Sequence, residues 1–177
     1  MASNTLSAFI ITLSDRAAQG IYEDVSGREI ENLLGKYMLE NGLNCNIQRK
    51  VIADEAILLK ELFQKQADHK IDFIFTTGGT GIGPRDITPD VIRPLLTKEI
   101  PGIMEVIRVK YGLQFPAAAL SRSIAGVAGK SLVYCLPGNP KAVAEYMNEI
   151  LKTLMHCYRM MHGESNHQDS IVKQNKF

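Results

Sequence analysis

The sequence has no tryptophan and only three cysteines and four histidines among its 177 residues. Cys45, Cys135 and Cys157 are odd in number and widely spaced, and none belongs to a C-x-x-C pair. That excludes a disulfide framework or a zinc cluster and points to a reducing cytoplasm. His69, His156, His162 and His167 lack metal-like spacing to acidic residues, so they are expected as solvated helix-end and tail residues. An excess of one charge sign is missing too, because 20 Lys and Arg against 19 Asp and Glu leave +1. A face built for nucleic acid or an anionic membrane normally shows in that sum, so neither partner is expected. No stretch approaches the ~20 consecutive apolar residues of a membrane-spanning helix. Met1–Leu6 also lacks the basic-then-apolar order of a secretory signal. What remains is 45% hydrophobic and 22% charged, an ordinary composition for one sizeable core. Any anionic ligand must therefore be held by local groups rather than by a global field.

Along the chain, short apolar runs alternate with helical periodicity. Ser7–Leu13 reads as a buried strand, and the polar stretch Ser14–Gly20 as a loop. Ser26, with Glu29 three residues on, has the form of a capping box opening a helix that Gly42 ends. Asn46–Ile52 is a second strand, Asp54 the cap of a second helix, and Ile71–Thr77 a third strand. Thr88-Pro89-Asp90 and Pro101 each open a helix. Ala128-Gly129-Lys130 splits two apolar runs into a hairpin, and Asn139-Pro140 caps a last helix. Strands that are apolar throughout imply a mainly parallel α/β sheet covered on both faces, with one antiparallel hairpin strand. The expected domain spans residues 1–163, with a loose polar tail over 164–177.

The residues with chemistry fall just after strands, where ligands bind in such sheets. Thr76-Thr77-Gly78-Gly79-Thr80-Gly81 can be a tight turn, or a cradle whose exposed amides hold an anion. It is neither a P-loop, since Pro84-Arg85 follows Gly83, nor a dinucleotide fingerprint, which needs a last glycine where Pro84 stands. Asp86 can hold Mg²⁺ beside phosphates or cap the Thr88 helix. Asp54 is a helix cap or a functional carboxylate, and Asp15–Arg16 a surface ion pair or part of a site. Lys141 can meet a phosphate or stay solvated, and Ser121-Arg122-Ser123 offers two hydroxyls around a fork-shaped cation. The apolar face around Ile103, Val106 and Ile107 fits either core or a subunit interface.

Taken together these segments resemble the molybdopterin adenylyltransferase family of molybdenum cofactor biosynthesis, the Mog type. The most specific match is Thr76–Gly81 followed by Pro84-Arg85-Asp86-Ile87-Thr88-Pro89-Asp90. Leu13-Ser14-Asp15-Arg16 with Gly20, Tyr22 and Asp24, and Leu136-Pro137-Gly138-Asn139-Pro140-Lys141, agree in order and spacing. The resemblance implies a three-layer α/β/α fold, a homotrimer and a cytoplasmic enzyme. It implies transfer of AMP from ATP, with Mg²⁺, to the terminal phosphate of molybdopterin, pyrophosphate being released. The product would pass to a molybdate-insertion enzyme. On this reading Asp54 and Asp86 are catalytic and hold Mg²⁺. Ser14, Asp15, Thr77, Gly78, Gly79, Thr80, Gly81, Ser121, Gly138 and Asn139 bind molybdopterin or ATP. The alternative is a non-catalytic molybdopterin-binding module acting as a trimeric scaffold.

Overall fold

The computed structural model describes residues 5–163; the tail expected over 164–177 lies outside them. Strands Leu6–Leu13 (β1), Cys45–Ile52 (β2), Phe73–Thr77 (β3), Lys98–Glu99 (β4), Ala125–Ala128 (β5) and Ser131–Leu136 (β6) form one sheet in the order β2-β1-β3-β6-β5-β4. β2, β1, β3 and β6 run parallel, and β5 is antiparallel to both its neighbours. β1 is buried at every position but Ser7, whereas the edge strand β2 is buried only at Ile52. The sheet is thus the mainly parallel one expected, with one antiparallel hairpin strand. The two-residue β4 is too short for periodicity to signal it, so the sequence pattern does not reveal it.

The described residues also form seven α-helices: Asp15–Ala18 (α1), Val25–Glu40 (α2), Ala56–Asp68 (α3), Thr88–Ile92 (α4), Pro101–Gly112 (α5), Pro140–Ile150 (α6) and Leu154–Met161 (α7). Because side chains alternate across a strand, β1 feeds two cores. Ala8 and Ile10 join Phe73, Phe75 and Tyr134 beneath Ile30 and Leu34 of α2, Ile107 of α5, Val143 of α6 and Leu154 of α7. Phe9 and Ile11 join Ile74 and Val133 beneath Leu59 and Phe63 of α3 and Ile92 of α4. This is the three-layer α/β/α arrangement. Burial pushes the Cys135 thiol, in the second core, up to about 12. It is a packing residue rather than a nucleophile.

Several local expectations change. The Ser14–Gly20 stretch contains the four-residue α1. α2 starts at Val25, and its cap is Asp24, not Ser26 with Glu29; the Asp24 carboxylate accepts the Gly27 N–H at 2.8 Å. α3 starts at Ala56 behind Glu55, so Asp54 does not cap it. The last helix is two pieces, and at the break the Thr153 hydroxyl donates back to the Ile150 carbonyl (3.3 Å), competing with the helical ladder. On α5, Ile107 is fully buried while Val106 is 60% exposed, so the apolar face is divided between core and surface.

The chain leaves β1 for β2 on one side and later places β3 on the other, so the strand order reverses at β1 and opens a crevice beyond Leu13 and Thr77. Gly78 sits at its floor with φ +99°, and a Cβ there would stand 2.3 Å from the Leu13 carbonyl oxygen. Its N–H is spent on the Leu136 carbonyl at 3.1 Å. Across from it, a Cβ on Gly138 would lie 3.2 Å from the Gly78 Cα. Gly78→Ala combines positive φ with a backbone clash, so it is expected to lose about 2–4 kcal/mol of stability. Urea denaturation measures this, and an unchanged midpoint would contradict the close approach described here.

Candidate functional site

The crevice holds a cleft of about 240 Å³ lined by Thr12, Ser14, Tyr22, Asp24, Ser26, Asp54, Thr77, Gly78, Gly79, Arg85, Asp86 and Gly138, among others. Each wall has a local cause. The Asp24 side chain is 7% exposed and accepts the Gly27 N–H, the Thr12 hydroxyl at 3.0 Å and the Arg49 guanidinium at 3.1 Å. These bonds fix the positive end of the 16-residue α2 against the cleft. The Ser26 hydroxyl donates to the Gly138 carbonyl (2.7 Å) and the Thr77 hydroxyl to the Pro137 carbonyl (2.6 Å), tying the end of β6 to α2 and β3.

Ser14 caps α1 by accepting the Ala17 N–H at 3.2 Å, and its hydroxyl meets the Tyr22 hydroxyl at 3.0 Å. Asp15 and Asp54 lock each other. The Asp15 N–H donates to Asp54 Oδ2 (3.1 Å), and the Asp54 N–H donates to Asp15 Oδ1 (3.0 Å). The ion partner of Asp15 is Arg85, not Arg16, whose guanidinium stands over the Tyr22 ring instead, 5.2 Å from its centroid. Asp86 accepts the Gly83 N–H (2.8 Å) and donates its own N–H to the Gly83 carbonyl (3.0 Å).

Arg122 holds this loop in place. Its Nε donates to the Gly81 carbonyl at 2.7 Å, and its Nη1 bonds both oxygens of Asp90 at 2.8 and 2.9 Å. Its Nη2 donates to the Asp86 carbonyl, and its backbone N–H to the Thr80 carbonyl at 2.8 Å. A planar guanidinium suits such a multiple grip, because its donors are fixed in a fork. Beneath the loop, the fully buried Thr88 hydroxyl donates to the Gly78 carbonyl at 2.8 Å.

The sequence-selected residues therefore divide. Ser14, Asp54, Thr77, Gly78, Gly79, Asp86 and Gly138 line the cleft, and Asp15 borders it through Asp54. Thr80 is 3% exposed and presents its carbonyl to Arg122. Gly81 packs against the Asp86 carboxylate, a Cβ there falling 2.7 Å from Oδ2. Asn139 caps α6 by accepting the Lys141 N–H at 2.9 Å. Ser121 lies in a separate cleft with Ser123, Arg93 and Arg108, its hydroxyl 2.9 Å from that of Ser123. Lys141 stands over the Phe115 ring, 4.3 Å from its centroid. Tyr22, Asp24, Ser26 and Arg85, to which the resemblance assigns no binding role, also line the cleft. The Gly20-Tyr22-Asp24 spacing and the Arg85-Asp86 pair were the available signals.

Among the described residues, no group of three or more His, Cys, Asp or Glu could hold a metal ion. The two carboxylates of Asp54 and Asp86 on one cleft still fit Mg²⁺. That ion takes oxygen donors and is bound through one or two carboxylates, with substrate phosphates and waters filling the rest.

Comparisons with known proteins bear on the family and the fold. Residues 9–156 match the family model described as a probable molybdopterin binding domain. The chain is 36% identical over 160 residues to a protein of Helicobacter pylori (strain J99) named molybdopterin adenylyltransferase, covering 90% of this chain and 89% of that one. It is 36% identical over 161 residues to Dictyostelium discoideum gephyrin, 88% of this chain but 22% of that protein. Among solved structures, MoaB of Thermus thermophilus, titled a molybdopterin biosynthesis enzyme, superposes with a TM-score of 0.80 at 34% identity. That match covers 90% of this chain and 98% of the other.

Because Arg122 is the common anchor of Gly81, Asp86 and Asp90, Arg122→Ala is expected to free the loop without unfolding the sheet. Hydrogen exchange at the amides of Gly83 and Asp86 should accelerate on the order of tenfold or more while the β1 and β3 amides stay protected. Unchanged exchange in the loop would show that Arg122 does not hold it.

Proposed function

The chain belongs to the probable molybdopterin binding domain family, and on that premise we propose that it transfers AMP from ATP to the terminal phosphate of molybdopterin, releasing pyrophosphate. The observation that carries this reading is the meeting of Asp54, Asp86, Arg85 and the glycine turn at one crevice, beside the positive end of α2. The attacking group is an oxygen of the molybdopterin phosphate, already an anion. It forms a bond to the α-phosphorus of ATP as the bond to the bridging oxygen breaks, and pyrophosphate leaves with that electron pair. No base has to remove a proton. The protein's tasks are to bring two anions together and to offset the charge where they meet.

The residues divide those tasks. Gly79 and the first turn of α2 receive phosphate oxygens, and Gly78, whose N–H is already spent, serves by its missing side chain. Arg85, held by Asp15, adds positive charge at the rim. Asp54 and Asp86 would hold Mg²⁺, which would offset phosphate charge there. Arg122 keeps the Asp86 loop in register. Thr80, Gly81, Ser121 and Asn139 act through the walls and helix ends they build rather than from the centre of the cleft. A cleft of about 240 Å³ takes the reacting phosphates, with the two heterocycles lying outward along its rims.

The same reading makes residues 1–163 one functional domain, the assembly a homotrimer, the compartment the cytoplasm, and a molybdate-insertion enzyme the recipient of the product. A non-catalytic molybdopterin-binding scaffold is the second reading, supported by a family description that names binding and not transfer; it predicts pterin binding without turnover. Molybdopterin-dependent release of pyrophosphate from ATP separates the two. Asp86→Ala is expected to lower kcat by about 10²-fold or more with near-normal folding. Retained turnover in that variant would remove Asp86 from the mechanism, and no turnover in the wild type would favour the scaffold.

A further inference from the structure

Tyr22 is an aromatic side chain in the lining of the cleft, and its surroundings hold it still. Its hydroxyl is bonded to the Ser14 hydroxyl at 3.0 Å, and the Arg16 guanidinium lies 5.2 Å from the ring centroid. Ser14 is itself fixed as the cap of α1. Yet Tyr22 is 47% exposed, and its neighbours Ile21 and Val25 are 61% and 51% exposed. A flat, pre-oriented ring at the rim of a phosphate-sized cleft is a stacking platform. It offers contact area with little side-chain ordering left to lose on binding.

We propose that Tyr22 stacks against the heteroaromatic ring of one of the two substrates and so helps determine which ring system this rim accepts. The inference rests on the adenylyl-transfer reading, in which both substrates carry such a ring: adenine in ATP and the pterin in molybdopterin. Their phosphates would meet at Asp54 and Asp86 while one ring lies on Tyr22. The Arg16 cation against the tyrosine also favours an electron-rich, hydrogen-bonding heterocycle over a plain apolar group.

The missing tryptophan supplies the test, since Tyr22→Trp would carry a single indole. ATP and molybdopterin are titrated separately against the full chain bearing Tyr22→Trp. Leu113→Trp, at a position 85% exposed and outside the cleft lining, is the control for light absorption by the ligands. Saturable quenching in Tyr22→Trp beyond the control by ATP places adenine on the platform; the same result with molybdopterin places the pterin there. In steady-state assays Tyr22→Ala should raise KM for that same substrate about tenfold, the loss of one stacked base, with a much smaller change in kcat. Tyr22→Phe, which keeps the ring but drops the bond to Ser14, should fall between. No quenching by either ligand while the wild type turns over would overturn the platform and leave the proposed function standing. Quenching without wild-type turnover would support the platform and count against the function.

Discussion

The close contact of three chain segments at Gly78 is the constraint on which the rest of the site depends. The Leu13 carbonyl presses where a Gly78 side chain would be, and Gly138 meets Gly78 with no side chain between them. Only with that space empty can the ends of β1, β3 and β6 converge. Their convergence lets the Ser26 hydroxyl reach Gly138 and the Thr77 hydroxyl reach Pro137. The buried Thr88 hydroxyl then holds Gly78 from below, so the glycine turn and the Asp86 loop are built on the same point. The Thr88 bond is buried, and leaving its partners unpaired would cost roughly 1–3 kcal/mol, which favours keeping the glycine turn where it is.

A second consequence is electrostatic. Four aspartates, Asp15, Asp24, Asp54 and Asp86, crowd the crevice or its border, but they are not equivalent. Asp24 is nearly buried and saturated by Thr12, Gly27 and Arg49. Asp15 is committed to Asp54 and Arg85. Asp54 and Asp86 face the cleft with fewer protein donors, and their acceptor capacity would suit a hard cation. A reaction whose nucleophile is already charged asks for this kind of arrangement: positions and counter-charge, with no base of tuned acidity.

Much of this was legible in the sequence. The buried runs Ser7–Leu13 and Ile71–Thr77 identified parallel central strands because they are apolar on both faces, and the loops after them carried the unusual residues. Glycines after a strand, followed by Arg85 and Asp86, come together in one crevice. Where the sequence misled, a non-local partner had won. Ser26 has the local form of a cap, yet its hydroxyl is drawn to Gly138, 112 residues away, while Asp24 caps the helix. Asp54 looks like a cap but is claimed by Asp15, 39 residues distant. Ser121 looks like a ligand residue, but Arg122 turns the chain there toward the loop it anchors, and the serine faces another cleft. Spacing along the chain shows none of these.

The central claim is that phosphate chemistry takes place at the β1–β3 crevice. A crystal structure with a non-hydrolysable ATP analogue and molybdopterin tests it directly. Phosphates of both ligands are expected between Asp54, Asp86 and the first turn of α2, with Gly78 beneath them. Phosphates seated instead in the separate cleft of Arg93, Arg108, Ser121 and Ser123 would contradict it.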